Sequence, residues 1–139
     1  VAATVANKGE QMTPYLVSRI LDPDLNEVSS TSTKVARTPI DSATASSLSS
    51  LMQTAVAEGT GTSAQVSGVQ VAGKTGTAET GTDSGPTTWF VGFAGTDIDK
   101  PEIALAVVLD GNAETEDGAT GGKIAGPVAA QVIDAAVNQ

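Results

Sequence analysis

A lysine, two threonines and a glycine stand together near the middle of the chain, in the order Lys74, Thr75, Gly76 and Thr77. They offer a cation, two hydroxyls and a backbone position without a side chain, on a segment that favours an extended strand. Such a set suits the carboxylate and the developing oxyanion of an acyl-transfer substrate. The chain has no His and no Cys, so neither a Ser-His-Asp triad nor a Cys-His pair can form within it.

The alternation of side chains along a strand divides these residues between two faces. Thr75 and Thr77 project to one face, where we expect them to hold a substrate carboxylate, and Gly76 lets a ligand approach closely. We expect the N–H of Thr77 to point at a carbonyl oxygen. Lys74 falls on the opposite face, so either its stem curls round the strand or the strand twists. An ordinary surface lysine on an edge strand is the competing interpretation.

A phosphate-binding loop is another interpretation of Lys74. The stretch from Gly68 to Thr75 matches the pattern G-x-x-x-x-G-K-S/T, and the run from Leu105 to Asp110 resembles an apolar strand that ends in a Mg²⁺ ligand. Such a loop must run directly into a helix whose N-terminus faces the phosphate. The residues from Gly76 to Gly81 are poor helix formers, so we place a P-loop NTPase third among the possible functions.

The elements around this segment form an α+β fold, predicted as a five-stranded antiparallel sheet flanked by helices. Three strands are joined by links too short for parallel crossovers, so they form an antiparallel meander. They run from about Val69 to Glu79, Thr88 to Gly95 and Ile103 to Leu109. Two more, Pro14 to Leu21 and a short return at Glu27 and Val28, flank a turn from Asp22 to Asn26.

Two or three helices complete the prediction. A short one opens the chain and stops at Asn7 to Gly9, and a second is capped by Asp41 or Ser42 and ends at Gly59. The third runs from Gly122 to Gln139. The expected core positions of the second are Leu48, Leu51, Met52, Ala55 and Val56, and those of the third are Val128, Val132, Ile133, Ala136 and Val137.

Charge and composition limit the possible partners. A net charge of -9, with seven scattered basic residues, disfavours nucleic acid and anionic membrane surfaces. No apolar run approaches the roughly 20 residues of a spanning helix, so any membrane anchor would lie outside this chain. Acidic residues between Asp97 and Asp117 do not match a calcium-loop spacing and read as a solvated face, so no metal or other cofactor is expected.

The stretch from Gly73 to Glu79, followed by Trp89 to Phe93, resembles the third active-site motif and the next strand of penicillin-binding protein transpeptidase domains. The resemblance covers nearly the whole chain. It extends to the end of the first helix with the strand after it, and to Gly121 and the start of the last helix. The run from Asn7 to Leu25 is most similar to the class B enzymes of actinobacteria.

The family builds its site from three motifs, S-x-x-K with the nucleophile, S-x-N and K-S/T-G. Only the third is present in these 139 residues. The resemblance therefore implies that residues 1–139 are the C-terminal portion of a single transpeptidase domain, without the N-terminal part that carries the nucleophile. An opening with neither an initiator Met nor a capping residue fits that expectation. Alone, such a portion should expose an apolar patch larger than a few hundred Å².

The implied activity is that of a peptidoglycan D,D-transpeptidase at the extracytoplasmic face of the bacterial cell membrane. It cross-links stem peptides through an acyl-serine intermediate, and this chain alone is expected to be inactive. Lys74 would assist proton movement and hold positive potential over the site. Thr75 and Thr77 would bind the terminal carboxylate of a D-Ala-D-Ala stem peptide or of a β-lactam, and the Thr77 N–H would form half of the oxyanion hole.

Two residues near the motif, Glu79 and Trp89, are interpreted as structural. The implied partners are the stem peptide, β-lactams and the N-terminal remainder of the same domain. The alternative from another functional class is a catalytically silent penicillin-binding-protein-like interaction module, because the deciding serine is not among these residues.

Overall fold

The computed structural model describes residues 1–79, 85–111 and 118–138. Within them no helix is both long enough and apolar enough to cross a lipid bilayer. The elements, in chain order, are α1 (Ala2–Ala6), β1 (Gln11–Met12), β2 (Arg19–Leu21), β3 (Glu27–Ser30), β4 (Val35–Arg37), α2 (Ser42–Ala57), a 3₁₀ turn (Thr62–Ala64), β5 (Gln70–Ala78), β6 (Thr87–Gly95), β7 (Ile103–Leu109) and α3 (Gly121–Val137).

The central sheet is a three-stranded antiparallel meander in the order β5-β6-β7. Its strands match the predicted ranges to within one residue at every end, so the predicted meander is confirmed. Across the first pair, Thr75 lies opposite Phe90 and Gly76 lies opposite Trp89. Strands β5 and β7 form the two edges, so the segment that begins at Lys74 belongs to an edge strand.

One face of this sheet carries the main core. Phe90 is completely buried there, together with Ala125, Ala129 and Ile133 of α3. A Cβ atom on Gly73 would overlap the Phe90 ring, so the glycine before the lysine is needed to make room for that aromatic side chain. Gly73 is therefore required by the packing of the core and is also the residue that precedes the lysine of the motif.

The opposite face is covered only at one end. Helix α1 packs there through Ala2 and Val5 against Phe93. Further along the face, Trp89 is 38% exposed and Val108, its cross-strand neighbour, is 44% exposed. No element of residues 1–79, 85–111 and 118–138 covers that end of the sheet. We call this side of the sheet, which carries Trp89 and Val108, the sparsely covered face.

The prediction of one five-stranded sheet is wrong for the described residues. The strands form one three-stranded and two two-stranded sheets, with β1 pairing β4 and β2 pairing β3. The β2–β3 hairpin pairs only with itself, and only its last three predicted residues, from Arg19, form the first strand. The stretch from Pro14 to Ser18 is exposed throughout, with Leu16 fully exposed, so it has no core face that would hold it in a sheet.

The predicted helices are confirmed, but the faces they bury differ from the prediction. In α2, Ala45 and Val56 are buried whereas Leu51 is 67% exposed. In α3, Val128 and Val132 are substantially exposed, and the buried face consists of small residues with Ile133. Small side chains let α3 approach the sheet closely, and that close approach determined its orientation more than the size of its aliphatic residues.

Asp41 caps α2, as predicted, by accepting a hydrogen bond of 2.7 Å from the Thr44 N–H. That bond, with others from the same turn, lowers the pKa of the carboxyl. Because the folded pKa is below the unfolded one, the cap stabilises the protein fully above the unfolded pKa. Its contribution is lost as the pH falls through the lowered folded value.

We therefore expect the thermal midpoint of the protein to fall more steeply below about pH 4 than that of Asp41→Asn, which keeps a neutral capping oxygen. Differential scanning calorimetry across a pH series checks this. Asp24→Asn makes the same substitution at an exposed carboxyl that caps no helix and serves as the matched control. Parallel pH curves for the parent and Asp41→Asn would contradict the expectation.

Candidate active site

The candidate residues lie in the second half of β5, and the segment is an extended strand, as predicted. The structure brings Thr75 and Thr77 to the same face, the one that meets α3 and the loop after α2. Both threonines are partly or fully accessible from outside. Gly76, between them, points to the opposite face, where a Cβ atom would come 3.3 Å from Trp89 Cβ.

The Thr75 hydroxyl is paired with a second hydroxyl that the sequence analysis missed. The Oγ1 atoms of Thr60 and Thr75 lie 2.6 Å apart and share a hydrogen bond. Thr60 stands in the glycine-rich stretch that ends α2, which the sequence marked as a loop without any reason to place it beside the motif. Only the tertiary packing of α2 against β5 brings the two hydroxyls together.

The Thr77 hydroxyl meets the first residue of α3. The Gly121 N–H donates a hydrogen bond of 3.2 Å to Thr77 Oγ1. A Cβ atom on Gly121 would collide with the backbone of Gly76 and Trp89, so only a glycine allows the helix to begin this close to the strand. The positive end of the 17-residue helix α3 is thereby directed at the threonine pair, where it favours a negative charge.

Counting hydroxyl protons shows what kind of ligand the threonines suit. Each hydroxyl has one proton to donate. Thr77 accepts from a backbone N–H and donates to no described residue, and the Thr60–Thr75 pair shares one proton and leaves one over. Counting only the contacts among the described residues, two O–H donors therefore remain near the N-terminus of α3. A carboxylate, which only accepts hydrogen bonds, matches that set.

Lys74 lies on the face opposite the threonines, as alternation along the strand requires. Its side chain is exposed, and its Nζ donates a hydrogen bond of 2.8 Å to the carbonyl oxygen of Thr75. The stem follows β5 toward its C-terminal end, because the carbonyl that it reaches belongs to the next residue along the strand. The ammonium group therefore stays at the backbone of β5 and is accessible from the sparsely covered face of the sheet.

A phosphate-binding loop is excluded by this geometry. The chain continues as a strand for four residues after Lys74, and no helix begins there.

Of the acidic positions considered for a metal, Glu114, Glu116 and Asp117 lie outside the described residues, and the described ones form no cluster of three possible ligands. Glu79 is exposed one residue beyond β5, and Trp89 lies on the sparsely covered face.

Comparisons with known proteins identify the family of the chain. A sequence profile of the penicillin binding protein transpeptidase domain matches residues 1–134. The peptidoglycan D,D-transpeptidase PbpA of Mycolicibacterium smegmatis is 38% identical over the whole chain, and that of Mycobacterium tuberculosis is 40% identical over 99% of it. The chain spans 28% of the length of each.

A solved structure extends the likeness to three dimensions. Penicillin-binding protein A of M. tuberculosis, in its ceftriaxone acyl-enzyme complex, superposes with a TM-score of 0.85 at 39% identity. The alignment covers 97% of this chain and 30% of that one. The chain therefore belongs to the family of penicillin-binding protein transpeptidase domains.

Proposed function

We propose that these 139 residues supply one wall of a peptidoglycan D,D-transpeptidase site. The nucleophilic serine would lie on a segment outside them, together with the S-x-x-K and S-x-N motifs. The observation that carries the proposal is the pair of threonine hydroxyls, Thr75 and Thr77, aligned on one edge strand at the N-terminus of α3. The relatives that share 38–40% identity are named for this activity.

The threonine pair is proposed to recognise the terminal carboxylate of the substrate. In a stem peptide that ends in D-Ala-D-Ala, this group lies one residue beyond the scissile peptide bond, and a β-lactam presents a carboxylate in a comparable place. Two available O–H donors and the positive helix end match its charge and its acceptors. Penicillin-binding protein A of M. tuberculosis has been solved as acyl-enzyme complexes with ceftriaxone, imipenem and penicillin G.

The backbone of the same strand is proposed to serve the reacting carbonyl. As the serine oxygen adds to that carbon, negative charge develops on the carbonyl oxygen, and the Thr77 N–H would stabilise it. Gly76 supports this role because the absence of a side chain leaves room for a ligand along β5. The second N–H of the oxyanion hole would come from the serine itself, outside this chain.

Lys74 is proposed to hold positive potential at the serine and to assist its proton transfer. Its exposure on the sparsely covered face supports this role, since a segment packed on that face would meet the ammonium group directly. The partly exposed Trp89 and Val108 on the same face suit burial under such a segment. We therefore infer that residues 1–139 form the C-terminal portion of one domain, whose remainder covers this face.

These 139 residues together with the segment that carries S-x-x-K and S-x-N are called the assembled domain. We propose that the assembled domain lies at the extracytoplasmic face of the cell membrane. Its acyl-serine ester would form as D-Ala leaves, and the amine of a second stem peptide would then displace the serine. Any membrane attachment would come from outside these residues.

Mass spectrometry after incubation with penicillin G tests the proposal. We expect no adduct on the 139-residue chain, because it lacks an activated serine, and one penicilloyl adduct per molecule on the assembled domain. The assembled domain with its S-x-x-K serine changed to alanine is the matched control. A stoichiometric adduct on any serine of the 139-residue chain would contradict the placement of the nucleophile, and an unreactive assembled domain would favour a catalytically silent module.

A further inference from the structure

We propose that Thr60 is a positioning residue for substrate-carboxylate recognition, which it serves by fixing the orientation of the Thr75 hydroxyl. The inference rests on the proposed function and adds a residue that lies outside the K-T-G-T segment. Its starting point is the 2.6 Å hydrogen bond between the two hydroxyls.

The direction of that hydrogen bond decides what Thr75 offers a ligand. If the Thr60 hydroxyl donates the hydrogen bond, its O–H points at the Thr75 oxygen, and the Thr75 O–H must point elsewhere. The first turn of α3 lies close to the Thr75 side chain, because a Cβ atom built on Gly122 would come within van der Waals distance, 3.9 Å, of Thr75 Cγ2. A carboxylate beside Thr75 selects this arrangement, since it can accept the Thr75 proton and cannot donate one.

The loop that carries Thr60 is held firmly from both sides. Toward α2, the Gly61 N–H donates to the Ala55 carbonyl at 3.0 Å, and the Gln65 amide donates to the carbonyls of Val56 and Ala57 at 2.9 and 3.1 Å. These contacts satisfy the carbonyl groups at the C-terminal end of α2. These hydrogen bonds therefore fix the loop against the last turn of α2.

On its other side, the same loop packs against α3 where that helix has glycines. The Ser63 hydroxyl donates to the Gly122 carbonyl, and the Thr60 carbonyl occupies the place that a Cβ atom on Gly122 would need. Gly126 leaves similar room for Ser63. Thr60 is thus fixed between the end of α2 and the beginning of α3, which a residue must be if it is to orient another hydroxyl.

The test compares variants of the assembled domain in their second-order acylation rates with penicillin G and with its methyl ester, which has no anionic carboxylate. Thr60→Val, which keeps the shape of the side chain, should slow acylation by penicillin G about three- to tenfold, the effect of one hydrogen bond. It should leave the rate with the ester nearly unchanged. Thr60→Ser restores the hydroxyl and should bring the penicillin G rate back toward the parent value.

Two results would overturn the inference. One is a parent-like rate of Thr60→Val with penicillin G. The other is an equal loss with the acid and the ester, which a purely structural role of Thr60 would produce. Thr75→Val and Thr77→Val are measured in parallel. If they reduce the acid-to-ester preference and Thr60→Val does not, only the role of Thr60 fails; if neither reduces it, the proposed carboxylate recognition itself fails.

Discussion

Lys74→Ala in the assembled domain is expected to slow acylation by penicillin G about 10²–10⁴-fold, the usual contribution of a positioned proton-transfer group. The stability of the fold should hardly change. The side chain is exposed, and its described hydrogen bond goes to the carbonyl of the adjacent Thr75. Surface truncations of this kind usually alter the free energy of unfolding by less than about 0.5 kcal/mol.

Stopped-flow acylation kinetics and denaturant unfolding of the same samples check both parts of this expectation. Lys100→Ala removes a lysine from the link between β6 and β7, away from the motif, and should acylate like the parent. Lys74→Arg separates two roles, because arginine keeps the charge but does not release a proton near neutral pH. A parent-like acylation rate of Lys74→Ala would remove Lys74 from the site.

Phe90→Ala should destabilise the 139-residue chain by about 3–5 kcal/mol, the range for an aromatic side chain removed from a core. The ring is completely buried on the α3 face, and Gly73 leaves the space that it fills. Urea unfolding followed by far-ultraviolet circular dichroism measures the loss. So large a change is a substantial part of the stability of a domain of this size.

The adjacent Trp89 provides a matched control for that measurement. It lies on the opposite face of the same strand and is 38% exposed, so Trp89→Ala should cost clearly less in the 139-residue chain. In the assembled domain the cost of Trp89→Ala should rise, because the remainder of the domain is proposed to cover that face. Equal losses for Phe90→Ala and Trp89→Ala in the 139-residue chain would show that the two faces are not differently packed.

The residues from Val69 to Leu109 show which features the sequence could predict. Links shorter than a crossover leave antiparallel pairing as the only possibility, and β-branched runs identify the strands. The hairpin of β2 and β3 was predicted, but its first strand was predicted too long and the hairpin was placed in the main sheet, because a strand pattern does not reveal whether its apolar residues have a core to pack against. The burial pattern of α3 was misjudged for a related reason, since closeness to the sheet favours glycine and alanine over larger aliphatic residues.

Part of the candidate site could likewise be predicted from the sequence, and part could not. The strand, the shared face of Thr75 and Thr77 and the opposite placement of Lys74 follow from the period of a strand. The contacts with Thr60 and Gly121 do not, because they join residues 15 and 44 positions apart in sequence. Local periodicity carries no information about such pairs.

Strand β7 affects how the chain behaves in solution. Its seven residues, Ile103–Leu109, contain no charge, proline or glycine, and within the described residues only β6 pairs with them. The outer edge of β7 thus offers unpaired backbone groups on an apolar, strongly β-forming segment, a composition typical of amyloid-prone sequences. In the separate chain, the same sheet that holds the motif is therefore a template for intermolecular strand addition and aggregation.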